Sequence, residues 1–265
     1  MNSSRGRTVL ALAVVAMAAI AFTATSANAA MITVDGFTAM SANSATLTIT
    51  FDASGSDKLV VVVTGEHGFN NTEGNCSGIT YDGVALTQAV NRDPIESGTD
   101  VTYNDIWYLD SPATSTGEII ASVSSRGSMT VFGLSGTAAG VGATAISDPY
   151  SRSVDLTTTA ANSLVIASFG MGGNGNTAVV QNVDADAPLI EATAVQTNVP
   201  SRPWDGHVTA YAQVPTAGPG TYSFSGGNQD GSHVIAAEFL VVPEPATMGL
   251  LAIGGLALLR RRRRA

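Results

Sequence analysis

Cysteine is almost missing from this 265-residue sequence, which contains Cys76 and no other. An intramolecular disulfide is therefore excluded, and the fold has to rest on the burial of apolar side chains. A lone thiol can act as a nucleophile or pair two chains. Because no motif around Cys76 supports either role, we interpret it as an incidental residue.

Basic residues are also scarce away from the two ends of the chain. Of the twelve Lys and Arg, residues 30–242 hold five, against twenty of the twenty-one Asp and Glu, which gives this central segment a net charge of −15. Phosphate contacts require clustered Lys and Arg, so the composition argues against nucleic acid and anionic lipid as partners. An acidic surface of this kind suits solubility outside a cell.

The common catalytic signatures are absent as well. The sequence contains no Gly-x-Ser-x-Gly elbow, no His-Glu-x-x-His and no phosphate-binding P-loop. Glu66, His67 and Cys76 gather in one predicted loop, which is either a metal or Cys/His site or a polar connection between strands. Structural zinc would need paired ligands at short spacing, which this loop lacks. We therefore predict no catalytic residue, no metal site and no cofactor.

Paired carboxylates are the remaining catalytic possibility. Asp184 with Asp186, or Asp93 with Glu96, would serve glycoside chemistry only if the two groups faced each other across a cleft. Sequence spacing alone does not establish such a geometry.

The N-terminal 29 residues have the three-part pattern of a secretion signal. Arg5 and Arg7 form a charged start, residues 8–22 are apolar, and Ala27 and Ala29 occupy the two small positions that a signal peptidase reads. We predict export through the secretion translocon and cleavage after Ala29, which makes residues 1–29 the signal peptide.

The C-terminal end combines three features in a fixed order. Pro243, Glu244 and Pro245 come first, followed by fourteen uncharged residues (246–259) and then five arginines. An α-helix of that length reaches about 21 Å, short of a hydrocarbon core about 30 Å thick, so it would span a membrane only marginally. Positive charge resists translocation, so the arginines should stay in the cytoplasm. They are Arg260, Arg261, Arg262, Arg263 and Arg264.

This order of tripeptide, short apolar helix and basic end resembles the PEP-CTERM sorting signal. The resemblance implies that Pro243, Glu244 and Pro245 are recognised by an exosortase, a membrane-embedded cysteine transpeptidase or protease. It also implies transient tethering to the membrane and then a place at the cell surface or in the extracellular matrix, often beside exopolysaccharide. The resemblance covers only residues 243–265 and implies nothing about residues 30–242.

The central segment has the alternation and turn signals of an all-β fold. Residues 46–51 alternate with period two, and residues 59–63 form a continuous β-branched run, typical of a strand that is buried on both faces or lies in a sandwich core. Asp82-Gly83 between two short β-patterns predicts a type I′ hairpin. No stretch has a convincing helical period; residues 183–197 come nearest, but Pro188 in their middle counts against a helix. Further strands are predicted at residues 105–109, 118–124, 129–134, 154–158, 164–169, 207–214, 221–225 and 233–242.

Four strand patterns of the first half recur in the second half, 103 to 105 residues later. The matched segments are 57–62 with 161–167, 107–109 with 210–212, 117–120 with 220–223, and 128–131 with 232–235. A nearly constant offset indicates an internal repeat, with halves at about 44–137 and 150–242. Because the link is short and each half has few large apolar residues, we expect two layers of one sandwich or jelly roll rather than two tandem sandwiches.

Trp204 is the residue that we predict to contact a ligand. It lies in a predicted loop between Arg202 and Asp205, and a flat apolar face with polar neighbours suits sugar recognition. The alternative is a plug between sheets, which is our interpretation of Trp107 within its strand. We therefore expect an exported, non-enzymatic protein with a structural or carbohydrate-binding role. The alternative is a secreted hydrolase that acts on polysaccharide or another envelope polymer.

Overall fold

The computed structural model describes residues 31–67, 76–97, 100–113, 115–124, 126–171, 183–196, 206–226 and 232–243. These ranges contain seventeen β-strands and no helix, which confirms the all-β prediction. The strands of the first half are β1 (Thr33–Ala42), β2 (Thr46–Asp52), β3 (Lys58–His67), β4 (Gly78–Tyr81), β5 (Val84–Ala85), β6 (Thr87–Ser97), β7 (Asp100–Asp110), β8 (Thr116–Ser122) and β9 (Arg126–Ser135). Those of the second half are β10 (Thr144–Ile146), β11 (Ser153–Thr157), β12 (Ser163–Met171), β13 (Val183–Ala185), β14 (Ile190–Gln196), β15 (Gly206–Val214), β16 (Pro219–Gly226) and β17 (His233–Phe239).

Each half folds into two antiparallel layers, a five-stranded sheet and a smaller one. The large sheet of the first half has the order β1-β9-β3-β7-β6, and its small sheet has the order β2-β8-β4-β5. The second half has a large sheet ordered β10-β17-β12-β15-β14 and a small sheet ordered β11-β16-β13. The second large sheet thus repeats the first strand for strand. The segments matched in the sequence lie in equivalent strands: β3 and β12, β7 and β15, β8 and β16, β9 and β17.

Three apolar clusters hold these layers together. The first cluster lies between the two sheets of the first half and includes Leu47 and Ile119. The second lies between the two sheets of the second half and includes Val165 and Phe224. The third contains side chains from both large sheets, which therefore pack face to face. Residues 31–241, the body below, form one compact unit.

Strand β3 is covered by apolar clusters on both of its faces. Leu59, Val61 and Val63 belong to the cluster of the first half, whereas Val60 and Val62 belong to the cluster between the large sheets. All five side chains are 0% exposed. The prediction of a strand buried on both faces is confirmed.

The expectation that the halves are two layers of one sandwich is wrong. Each half has its own pair of sheets and its own core, so the order of layers is small, large, large, small. The physical reason is that the large sheets are apolar on both faces. One face is covered by the small sheet of the same half and the other face by the second large sheet.

The two large sheets meet through equivalent surfaces. Edge strand β1 lies against β14, and edge strand β6 lies against β10. Since β10 has the position of β1 in its own sheet, and β14 the position of β6, the contact has the pattern of an isologous dimer interface. The duplicated chain thus pairs its two halves as a symmetric dimer pairs its subunits.

Local signals predicted some turns well and some strands poorly. Asp82 (φ 48°) and Gly83 (φ 80°) connect the paired residues Tyr81 and Val84, so the type I′ hairpin is confirmed. The segment nearest to a helical period instead forms β13 and β14. The edge strands β1, β6 and β14 were not predicted, because Gly, Ala, Ser and polar residues blur their alternation.

Candidate functional site

The body ends where the chain after β17 meets the segment that joins the two halves. Val241 forms an isolated antiparallel bridge with Thr137, and the Ala138 N–H donates a 2.7 Å hydrogen bond to the Leu240 carbonyl. Val242 is 46% exposed. Pro243, the first residue of the predicted sorting motif, therefore follows the last bridge of the body after a single residue.

The first residues of the body lie at the same end. Thr33 pairs with Ser135, two residues before Thr137, and the Gln213 side chain donates a 2.6 Å hydrogen bond to the Ile32 carbonyl. This end, the exit pole, comprises residues 31–33, 136–143, 158–162 and 238–241. Both ends of the chain leave the body there.

A buried carboxylate ties three segments of the exit pole together. Glu238 accepts hydrogen bonds from the backbone N–H of Ala143 (3.0 Å), Thr159 (2.9 Å) and Ala160 (3.1 Å), and from the Thr159 hydroxyl (2.8 Å). Burial alone would raise the pKa of Glu238, but together these donors outweigh it and lower the pKa below its usual value. Glu238 therefore holds the segment between the halves as an anion.

A buried cation holds the same segment from the first half. Lys58 is fully buried, pairs with Asp110 and donates a 2.9 Å hydrogen bond to the Gly140 carbonyl. The Asp110 carboxylate in turn accepts a 2.9 Å hydrogen bond from the Gly140 N–H. Burial lowers the pKa of Lys58, and the Asp110 carboxylate opposes that shift. Charged groups of both halves thus fix the exit pole.

A histidine with two hydroxyl partners lies in the interface between the large sheets. His207 is 0% exposed, and its Nδ1 and Nε2 each lie 2.7 Å from a hydroxyl oxygen, of Ser128 and Thr130 respectively. Burial lowers the pKa of His207 to about 3. The pair of Ser128 and His207 resembles a nucleophile and its base only in composition, because both ring nitrogens are engaged and no substrate reaches a fully buried ring. It is a polar contact that joins the two halves.

Cys76 lies in the core of the first half. It is 4% exposed, and its Sγ lies 3.6 Å from the Gly78 carbonyl oxygen. Burial raises the pKa of the Cys76 thiol to about 12, and the nearby Asp105 carboxylate acts in the same direction. A neutral, enclosed thiol is a poor nucleophile, which supports its interpretation as an incidental residue.

A groove of about 360 Å³ opens on the first half beside β4. Its uncharged lining includes Ser77, Gly78, Thr80, Leu86, Trp107 and Ser122. This feature is the Gly78 groove below. Trp107 is 9% exposed and belongs to the core of the first half, as its sequence position indicated. Its indole Nε1–H has no hydrogen-bond acceptor among the residues that the structure describes.

Several residues singled out in the sequence lie outside the described ranges. They are Trp204, Ala27, Ala29, Glu244, Pro245, Arg260, Arg261, Arg262, Arg263 and Arg264. The predicted loop of Glu66 and His67 begins later than expected, because the backbone of both residues belongs to β3.

Among the paired carboxylates, Asp186 accepts 2.9 Å hydrogen bonds from the Ser223 and Ser225 hydroxyls, as a structural acceptor does. Sequence reasoning missed His207 and Glu238. No local pattern marks them, since the partners of His207 lie 77 and 79 residues away in the chain.

The described part of the body has neither a metal-binding cluster nor a membrane-spanning helix. Within these ranges no three His, Cys, Asp or Glu side chains lie close enough to hold a metal ion. A helix long and apolar enough to cross a membrane is likewise not found among them.

Comparison with known proteins identifies the tail rather than the body. No curated protein matches the chain. Residues 241–264, however, match the PEP-CTERM protein-sorting motif, as the order of tripeptide, apolar run and arginines predicted. The chain is therefore an exported protein of the cell surface or extracellular space, and its C-terminal PEP-CTERM motif is a substrate signal for an exosortase.

Proposed function

We propose that this protein is a non-enzymatic module of the cell envelope, which presents a double β-sandwich outside the cell and binds neutral polysaccharide there. The observation that carries the proposal is the exit pole. The sorting tail follows directly from a region where Glu238 and the pair of Lys58 and Asp110 secure the junction of both halves. Such a junction suits a module that is held by its C-terminal end.

The chemistry of the body favours display over catalysis. His207 and Cys76, which have the reactive side chains best suited to nucleophilic chemistry, are enclosed in apolar interfaces. The net charge of −15 between residues 30 and 242 disfavours polyanionic partners and suits an uncharged polymer. The hydrolase alternative receives no support from a described residue. The side chains of His67, Asp93 and Glu96 lie outside the described ranges.

The route to the surface supplies the first test. The full chain is expressed in a host with an exosortase, and the C-terminal mass of the surface fraction is measured. We expect removal of the apolar and arginine segments, and we expect Glu244→Ala to leave them in place and hold the chain in the membrane. Glu191→Ala, a change at an exposed residue of β14, is the control and should be processed normally. A cytosolic chain that keeps Arg260–Arg264 would refute the export route.

The binding role needs a separate test. Purified full chain is incubated with neutral polysaccharides, and both pull-down and the appearance of new reducing ends are measured. Retention without new reducing ends supports a binding module. New reducing ends that grow with time would replace the proposal by the hydrolase alternative.

A further inference from the structure

Trp107 is one of the residues that line the Gly78 groove, and its indole Nε1–H is a buried donor. The side chain is 9% exposed, and its Nε1–H has no acceptor among the described residues. A buried polar group without a partner is energetically unfavourable. A ligand oxygen that reaches this indole would recover that energy.

The local strand pairing keeps the groove open. Strand β5 covers only Thr80 and Tyr81 of β4, so the edge of β4 at Gly78 is not paired with β5. A Cβ atom built on Gly78 would meet nothing within 4 Å. Glycine therefore leaves an open notch in the wall of the groove, which a larger side chain would begin to fill.

The lining indicates the chemistry of a ligand. Ser77, Thr80 and Ser122 contribute hydroxyl groups, while Leu86 and the indole contribute apolar surface. None of the lining residues that the structure describes is charged, although residues 30–242 carry a net charge of −15. Sugars combine uncharged hydroxyls with apolar C–H faces, and both find partners here. We infer that the Gly78 groove is a binding site for a neutral saccharide, which gives the proposed polysaccharide-binding role, on which this inference rests, a specific site.

The internal repeat also supports a specialised role for Trp107. Strands β7 and β15 are equivalent, and the sequence match places Ala210 opposite Trp107. The core of the second half thus holds an alanine where that of the first half holds a tryptophan. The indole therefore distinguishes the first half from its repeat, as a specialised site would.

Tryptophan emission can test the site, because the chain has only two tryptophans. The full chain carrying Trp204→Phe, in a zwitterionic detergent without a sugar head group, is titrated with neutral hexasaccharides of glucose, mannose, galactose and N-acetylglucosamine. We expect at least one of them to change Trp107 emission saturably. An alginate hexasaccharide, which is anionic, should bind at least tenfold more weakly.

Gly78→Val should fill the notch and weaken binding at least tenfold. Gly36→Val is the matched control, because Gly36 is also a strand glycine with open space around its Cβ, and it should change affinity less than twofold. Trp107→Phe, which removes the donor, should weaken binding if the variant keeps its circular dichroism spectrum. If it does not, the Gly78→Val comparison decides.

Three outcomes would overturn the site: equal affinity of the two valine variants, equal binding of alginate, or a response to extended peptides and to none of the sugars. A chain that is exported, processed and retained on polysaccharide, yet fails this titration, would overturn the Gly78 site and leave the proposed function standing.

Discussion

Thr137, in the segment that joins the two halves, pairs with Val241, the last residue of the body. The adjacent hydrogen bond from Ala138 to Leu240 extends this contact toward β17. An enzyme that processes an extended substrate binds residues on both sides of its recognition motif. Because only Val242 separates the bridge from Pro243, the residues before the motif have to leave the body before they can be bound.

A flexible spacer should therefore speed processing. We expect six Gly and Ser residues inserted between Val242 and Pro243 to raise the rate of tail removal several-fold, since the motif would then be reached without opening the Thr137–Val241 bridge. Pulse-chase labelling of the full chain measures this rate. The same insertion after Gly55, in an exposed turn, should leave it unchanged. An equal rate in both insertion variants would show that the bridge does not limit processing.

His207 should make the folded state less stable in mild acid. Burial lowers the pKa of His207 to about 3 in the folded chain, whereas an unperturbed histidine has a pKa of 6.5. Between these values the unfolded chain binds a proton that the folded chain does not. His207 therefore does not change the free energy of unfolding above about pH 6.5. Below that pH it lowers the free energy of unfolding, by about 1.4 kcal/mol per pH unit at most.

Urea denaturation between pH 6.5 and 5 can isolate this contribution. His207→Gln does not titrate, so its unfolding free energy should fall less steeply than that of the unaltered chain over this range. The comparison between the two chains cancels the contributions of other titrating groups. Parallel pH profiles would show that His207 is not held neutral by the interface.

The parts of the fold that were predictable from the sequence depend on local signals. The run of β3 and the Asp82-Gly83 turn each express their structure within a few residues, and both were predicted. The number of sandwiches was not predictable from the sequence. A continuous apolar run shows that both faces of a strand are covered, but it does not show which part of the chain covers each face.

The candidate sites also differ in whether a local pattern in the sequence marks them. The sorting motif is a contiguous pattern and was found from its residues alone. The Gly78 groove depends on where β5 stops covering β4 and on a tryptophan from another strand, β7. Such a combination exists only after folding, so the sequence could place Trp107 in the core but could not show that it also borders a groove.

Cys76 should resist modification in the folded protein. Burial raises the pKa of its thiol to about 12, so only a very small fraction is thiolate at pH 8, and the side chain is also 4% exposed. We expect a maleimide reagent to label the folded chain at least a hundredfold more slowly than the chain in guanidinium chloride. Oxidation of the folded chain should yield no disulfide-linked dimer. Rapid stoichiometric labelling before unfolding would show that Cys76 is accessible.

Glu238→Gln should lower the free energy of unfolding, because it disturbs the hydrogen bonds that join the segments of the exit pole. The amide replaces one acceptor oxygen by a donor that would face the N–H groups of Ala143, Thr159 or Ala160. We expect a loss of about 2–4 kcal/mol in unfolding free energy at pH 7, measured by urea denaturation. Glu191→Gln, at an exposed position, should change it by less than about 0.5 kcal/mol.

The pH dependence of that loss distinguishes a missing anion from a packing defect. The hydrogen bonds keep the pKa of Glu238 in the folded chain below 4.5, the pKa of an unperturbed glutamate. The folded chain therefore gains stability from ionised Glu238 above about pH 4.5 and loses it as pH falls through the lowered pKa. The difference in unfolding free energy between the unaltered chain and Glu238→Gln should therefore become smaller as the pH falls. A difference that stays constant from pH 7 down to acid unfolding would mean that the shape of the glutamate, and not its charge, holds the three segments together.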